Sequence, residues 1–93
     1  MIVGLMKIDL LVKSVHSLKE KRRIVSSIKE KLKNKFNISI IESDFQDVWQ
    51  KIQISIALLS GSKEIAGKIF LQCEDHIFDN YPVEILNVEI EYL

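Results

Sequence analysis

The residues best placed for chemistry are cationic side chains crowded into a short stretch near the start of the chain. Residues 1–35 contain ten Lys and Arg against three Asp and Glu, whereas residues 36–93 contain three against ten, so the two parts carry +7 and −7. Cations this dense must face water or a polyanion, because burying them unpaired is too unfavourable. The pattern predicts phosphate contacts through Lys19, Arg22, Arg23, Lys29 and Lys33. The alternative is an ordinary solvated helix face, which is what charge runs usually form.

Lys21 differs from these cations, because helical spacing places it in the middle of the apolar side of the same segment. Its stem can pack against apolar neighbours, but its ammonium needs water or a carboxylate. We expect a salt bridge to Glu42, Asp44 or Asp47, which would fasten the helix to the hairpin that follows it. A catalytic role for Lys21 would require a neighbouring cavity, which the sequence does not indicate.

Trp49 is the single tryptophan, and it falls at the predicted tip of that hairpin. It could stack on a nucleobase or anchor a partner, and it could equally cover the end of the core. Topology places Lys21, Asp44, Asp47 and Trp49 at one end of the domain, and we expect them to form a loop-end cluster. The two histidines, His16 and His76, are expected at the same end.

Other chemistries lack the residues they need. Cys73 and His76 are three apart, but a metal site usually requires three or four ligands, and a Cys on an apolar stripe is commonly a small hydrophobe. One cysteine cannot hold an iron–sulfur cluster, and no nucleophile–base pair is evident. The first loop has no glycine with which to cradle an anion. We therefore predict no catalytic residue, no metal and no cofactor.

Six elements must position these residues. Residues 1–13 alternate as a strand, and the Ser17-x-x-Glu20 capping box begins a helix that Asn37 ends. Residues 37–45 and 51–60 form a hairpin. Ser62 caps a second helix of about 17 residues, which stops at the segment Asn80, Tyr81 and Pro82. A last strand, 83–93, is expected to bury Leu86, Val88, Ile90 and Tyr92.

The order β-α-β-β-α-β predicts a single ferredoxin-like α+β domain over residues 1–93. Two helices then cover one face of a four-stranded antiparallel sheet of order 4-1-3-2. The open face has no aromatic residue on its central strands, which disfavours an RNA-recognition motif. Its apolar positions suit a dimer contact and are Val3, Leu5, Ile41, Leu59 and Ile85.

Size and composition set the remaining expectations. The chain has 93 residues, of which 47% are hydrophobic, and this is typical of one small folded domain. No apolar run approaches the roughly 20 residues of a membrane helix, and the apolar N-terminus lacks the features of a signal peptide. A lone cysteine cannot form an internal disulfide, so we expect a cytoplasmic protein.

Several short runs resemble the YlxP-like family of small bacterial proteins, known as domain of unknown function 503. The runs are Leu18-Lys19-Glu20-Lys21-Arg22-Arg23, Lys35-Phe36-Asn37-Ile38-Ser39-Ile40, the pair Glu42 and Asp44, and Gln46-Asp47-Val48-Trp49-Gln50-Lys51. The resemblance covers nearly the whole chain. It implies the ferredoxin-like fold and no established activity, and its genomic setting beside ribosome-binding factor A and translation factors suggests ribosome assembly.

Together these patterns predict a non-enzymatic module whose partner is structured RNA or a ribosomal particle. The basic helix would supply the phosphate contacts, and no membrane is involved. The alternative is a homodimeric interaction or regulatory module that pairs through the open sheet face without nucleic acid. A small enzyme with a site at the loop end ranks last, because it would need a cofactor or a composite dimer site.

Overall fold

Six elements follow one another in the predicted order β-α-β-β-α-β. The structure is a computed structural model that describes all residues from 1 to 93. The elements are β1 (Ile2–Val12), α1 (Leu18–Lys35), β2 (Ser39–Asp44), β3 (Lys51–Ser60), α2 (Lys63–Asn80) and β4 (Val83–Tyr92). None of the helices combines the length and apolarity needed to cross a membrane.

The strands form one sheet of order β2-β3-β1-β4, in which every neighbouring pair is antiparallel. This confirms the predicted order 4-1-3-2, read from the opposite edge. Strict alternation along β1 turns Met6, Ile8 and Leu10 towards the helices, where all three are buried. They belong to a core of 18 buried hydrophobic residues between the sheet and the helix layer.

Serine caps begin both helices as the sequence predicts. The Ser17 side chain accepts a hydrogen bond from the Glu20 backbone N–H at 3.2 Å, and the Ser62 side chain accepts from the Ile65 N–H, also at 3.2 Å. The Glu20 carboxylate reaches back one residue further than in the usual capping box and accepts from the His16 N–H at 2.9 Å. These contacts join the first loop to the first turn of α1.

The prediction for β4 was wrong in part, because a β-bulge shifts its register. Leu10 pairs with Ile85 and Asp9 pairs with Asn87, so Leu86 has no partner on β1. The extra residue moves Ile85 to the helix-covered side, where it packs against the core, whereas the sequence placed it on the open face. Leu86 and Ile90 were expected to be buried, but each is 46% exposed. For Ile90 the reason is that β4 is an edge strand.

Candidate nucleic-acid interface

The outer side of α1 carries the predicted phosphate contacts. Four of the five side chains are exposed, and Lys29 is half-buried. At about 100° of rotation per residue, the five fall within an arc of about 120° on the helix surface. We call this set the basic face, and it consists of Lys19, Arg22, Arg23, Lys29 and Lys33.

No member of the basic face is neutralised by an acidic side chain of the same molecule. The structure contains two ion pairs, Lys7 with Glu89 and Lys21 with Glu42, and neither involves the basic face. The one acidic residue inside the arc is Glu30, and it too lies outside both ion pairs. The guanidinium and ammonium groups therefore remain available to an external anion.

A groove of about 660 Å³ runs along α1. Its lining includes Lys19, Arg22, Arg23 and Lys31, together with Ser26, Ser27 and Glu30. The Ser27 hydroxyl is hydrogen-bonded at 2.9 Å to the hydroxyl of Tyr81, the residue after α2. Three residues of the basic face thus share a concave, polar surface with two serine hydroxyls, Lys31 and Glu30.

Most of the negative charge lies outside α1. Six of the thirteen Asp and Glu side chains are exposed carboxylates on α2 and β4, and they are Glu64, Asp75, Asp79, Glu84, Glu89 and Glu91. The zero net charge of the chain therefore hides a molecule with one cationic helix face and an acidic remainder. This separation favours a particular orientation towards a polyanion, which the acidic elements repel.

Lys21 is fully buried, with 0% of its surface exposed. Its Nζ lies 2.9 Å from Oε2 of Glu42 and donates a hydrogen bond to the backbone carbonyl of Phe45. Glu42 is one of the three carboxylates that the sequence proposed as its partner. The Phe45 carbonyl was not foreseen, since no sequence pattern reports where a backbone oxygen points. Together these contacts fasten the first turns of α1 to the β2–β3 hairpin.

A β-bulge in β2 explains why Lys21 forms its ion pair with Glu42 and not with Asp44. Glu42 pairs with Ile54, whereas Asp44 pairs with Gln53, so Ser43 is the extra residue. Ile54 is buried beneath the helices, which puts Glu42 on the helix side. The bulge turns Asp44 away from that side. Its carboxylate instead accepts a hydrogen bond of 2.7 Å from the next backbone N–H, and Asp47 is exposed and outside both ion pairs.

Trp49 lies at the hairpin tip, as predicted, and is 38% exposed. Its ring centroid is 6.3 Å from that of His16 in the β1–α1 loop, and the two planes are inclined by 52°. This contact brings the hairpin tip beside the start of α1. Lys21 contacts Glu42 and Phe45 of the hairpin and Trp49 contacts His16, while Asp44 and Asp47 stay outside the Lys21 contact.

His76 packs against Tyr81, the residue after α2, with ring centroids 6.0 Å apart. Its Nε2 is buried without a hydrogen-bond partner. Burial lowers the pKa of His76, and Lys35 and Lys31 of α1 lower it further, against a smaller opposing effect of Asp79. Cys73, one turn earlier, is buried, and desolvation raises its thiol pKa to about 11. No group of three or more His, Cys, Asp and Glu side chains could hold a metal ion.

The open sheet face carries a chain of polar contacts that sequence reasoning missed. Ser55 donates to the Ser43 hydroxyl at 2.7 Å, Ser43 donates to Gln53 Oε1 at 2.8 Å, and the Gln53 amide donates to Asp9 at 2.9 Å. The sequence does show polar residues at facing positions of neighbouring strands, which could have indicated these contacts. The participation of Ser43 depends on the β2 bulge, which the sequence does not reveal. The chain divides the open face into a polar part and an apolar part.

Fold and surface together define a class: a small ferredoxin-like domain whose first helix presents an unneutralised cationic face. The chain belongs to the family described as a protein of unknown function, DUF503, whose model matches residues 3–90. This confirms the resemblance read from the sequence.

Similar proteins agree with both the family and the fold. The chain is 38% identical over 61 residues to the uncharacterized protein YlxP of Bacillus subtilis strain 168, a match that spans 66% of each protein. Among solved structures, a structural-genomics protein named YJCS has a TM-score of 0.65 at 11% identity, covering 96% of both chains. A designed protein with a ferredoxin fold, LFR1, has a TM-score of 0.56 at 15% identity, covering 100% of this chain and 84% of its own. Identities this low show the fold alone.

The Lys21–Glu42 pair should be strongly coupled. We expect Glu42→Leu to lower the free energy of unfolding by about 3–5 kcal/mol, because it leaves a buried ammonium without its carboxylate. The double variant Lys21→Met/Glu42→Leu should lose less unfolding free energy than the Glu42→Leu variant, since no uncompensated charge remains. Urea unfolding of the wild type, of the single variants Lys21→Met and Glu42→Leu, and of the double variant measures the coupling energy. Additive losses would show that the two side chains do not interact.

His76 should make stability depend on pH on the acidic side of neutrality. Because its pKa is lowered in the folded state, the unfolded chain binds a proton first as the pH falls below about 6.5, and the folded state loses stability. We expect the His76→Gln variant to have a shallower decline in unfolding free energy between about pH 7 and pH 5.5. The exposed His16, replaced by Gln, is the control. Equal slopes for the wild type and His76→Gln would contradict the assignment.

Proposed function

We propose that the protein is a non-enzymatic module that binds structured RNA or a ribonucleoprotein through the basic face of α1. The observation that supports this function is the free state of the five cations, none of which joins an ion pair. Had acidic side chains of the same fold neutralised them, no reason to invoke a polyanion would remain. Ribosomal particles in the cytoplasm are the partners that we propose.

Recognition would depend on phosphates and shape more than on base edges. Lysine and arginine side chains on a helix can contact successive phosphates, whereas reading a base edge requires side chains that enter a groove or hydrogen-bond to an unstacked base. The serines in the groove beside the basic face can donate to phosphate or ribose oxygens. Binding of this kind releases counterions and weakens steeply as salt increases.

Charge reversal on the basic face tests this function. We expect Arg22→Glu/Lys29→Glu to weaken binding of structured RNA at least tenfold, because attraction becomes repulsion at two sites. The slope of log affinity against log salt should fall in magnitude by roughly 0.7–0.9 for each phosphate that the variant no longer neutralises. Fluorescence anisotropy with a labelled RNA hairpin, repeated at several salt concentrations, measures both quantities.

The matched control is Lys63→Glu/Lys68→Glu, which makes the same change in net charge at exposed positions of α2. We expect this variant to bind nearly as the wild type does. If the two double variants weaken binding equally, net charge and not the basic face governs the interaction. If Arg22→Glu/Lys29→Glu leaves binding unchanged, the proposed function is wrong.

A second candidate function is a homodimeric interaction module, which the exposed apolar part of the open face favours. Leu59 and Leu93 are each 67% exposed, and both flank Val3, the first by strand pairing and the second by backbone hydrogen bonds. The strands lie about 4.8 Å apart, and they are ten or eleven residues long except β2, which has six. Such a sheet face would bury about 600 Å² per copy, which is near the lower bound for a stable dimer.

Oligomeric state tests the second candidate. We expect a dimer in sedimentation velocity that Ile41→Glu/Leu59→Glu abolishes, because both substitutions put charge into the apolar contact. Salt should leave such a dimer intact, since apolar association is not screened. The control Leu71→Glu/Phe78→Glu alters exposed apolar residues of α2 and should not affect it. A monomer at all concentrations, or a dimer that only the α2 variant abolishes, would refute pairing through the open face.

A further inference from the structure

Trp49 and His16 form an exposed aromatic pair that the phosphate contacts of the basic face do not use. Both rings lie at the loop end, and their centroids are 6.3 Å apart at an inclination of 52°. Two rings that hold a flat ring between them need a separation of about 7 Å, which is twice the contact distance of carbon atoms. The exposed His16 ring would therefore have to turn parallel to the indole and move outwards to admit a base.

We propose that this pair is a stacking site for an unpaired nucleobase, so that the partner of the basic face contains a single-stranded segment next to its phosphate contacts. The inference rests on the proposed function and adds a substrate class to it. Indole presents the largest aromatic surface of any side chain, and a base stacks on it whatever the base sequence.

The hairpin tip that carries Trp49 is held rigidly, which favours binding. The Phe45 carbonyl accepts from both Lys21 Nζ and the Val48 N–H, and Phe45 itself has a φ of 62°. On the other side of Trp49, the carbonyl of Gln50 accepts a hydrogen bond of 2.8 Å from the Val12 N–H. A ring presented on a fixed backbone loses little conformational entropy when a base stacks on it.

The aromatic pair lies at the same end of α1 as the first residues of the basic face. His16 immediately precedes the cap of α1, and Lys19, Arg22 and Arg23 follow it by three to seven residues. At 1.5 Å per residue this is about 5–10 Å along the helix axis. In this proposal, a strand whose phosphates contact these side chains continues around the start of α1 and places a neighbouring base on Trp49. Aromatic surfaces beside a cationic track are the usual arrangement in proteins that bind single-stranded nucleic acids.

Because Trp49 is the single tryptophan, its own emission reports the contact. The probes are an eight-nucleotide oligouridylate and an abasic ribose-phosphate oligomer of the same length. We expect the oligouridylate to quench Trp49 emission and the abasic oligomer to leave it nearly unchanged. We also expect Trp49→Ala to weaken binding of the oligouridylate about tenfold or more and to leave binding of the abasic oligomer unchanged.

Two further variants keep the outcome clear. Trp49→Phe retains an aromatic face and should keep most of the affinity, whereas Phe78→Ala removes an exposed ring on α2 and should have no effect. If Trp49→Ala binds both oligomers as the wild type does, the stacking site is refuted. In that case loss of binding in Arg22→Glu/Lys29→Glu would leave the proposed function standing. If the wild type binds neither an RNA hairpin nor the oligomers, the proposed function fails, and the stacking site fails with it.

Discussion

The buried ammonium of Lys21 is the interaction on which the orientation of α1 depends. An ammonium inside the core is tolerated only where carboxylate and carbonyl oxygens replace its water, and Glu42 and the Phe45 carbonyl do so. Rotation of α1 about its axis would separate Lys21 from these oxygens and bury a cation of the basic face. The pair therefore directs the other cations to solvent and holds the hairpin tip beside the start of the helix.

A charge separation of this kind produces a local electrostatic field without a net charge. At physiological salt the screening length is about 8 Å, so an approaching polyanion responds to the nearest helix face and not to the zero total. The acidic surfaces lie on α2 and β4, and a polyanion is repelled by them. Since the ferredoxin-like fold serves many unrelated functions, the proposal of RNA binding depends on this surface and not on the fold.

Much of the architecture could be predicted from the sequence, because its signals are local and redundant. Alternation identified the buried face of β1, the hydroxyls of Ser17 and Ser62 marked both helix starts, and handedness then left one strand order. The same local reasoning singled out Lys21, since a cation in the middle of an apolar stripe must find a partner. This reasoning limited the partner of Lys21 to three carboxylates, but it could not tell which of them forms the ion pair.

The amino-acid sequence by itself determined the element order, the helix-covered face of β1 and the concentration of cations on one helix. Tertiary structure decided which side chains meet. A bulge at Ser43 places Glu42, and not Asp44, on the side of β2 that contacts Lys21. A second bulge, at Leu86, moves Ile85 from the open face to the core side. The reason is that a bulge adds one residue to a two-residue period, which reverses the facing of every side chain beyond it. The position of a bulge is set by pairing with a strand that is distant in the sequence, so no local sequence pattern predicts it.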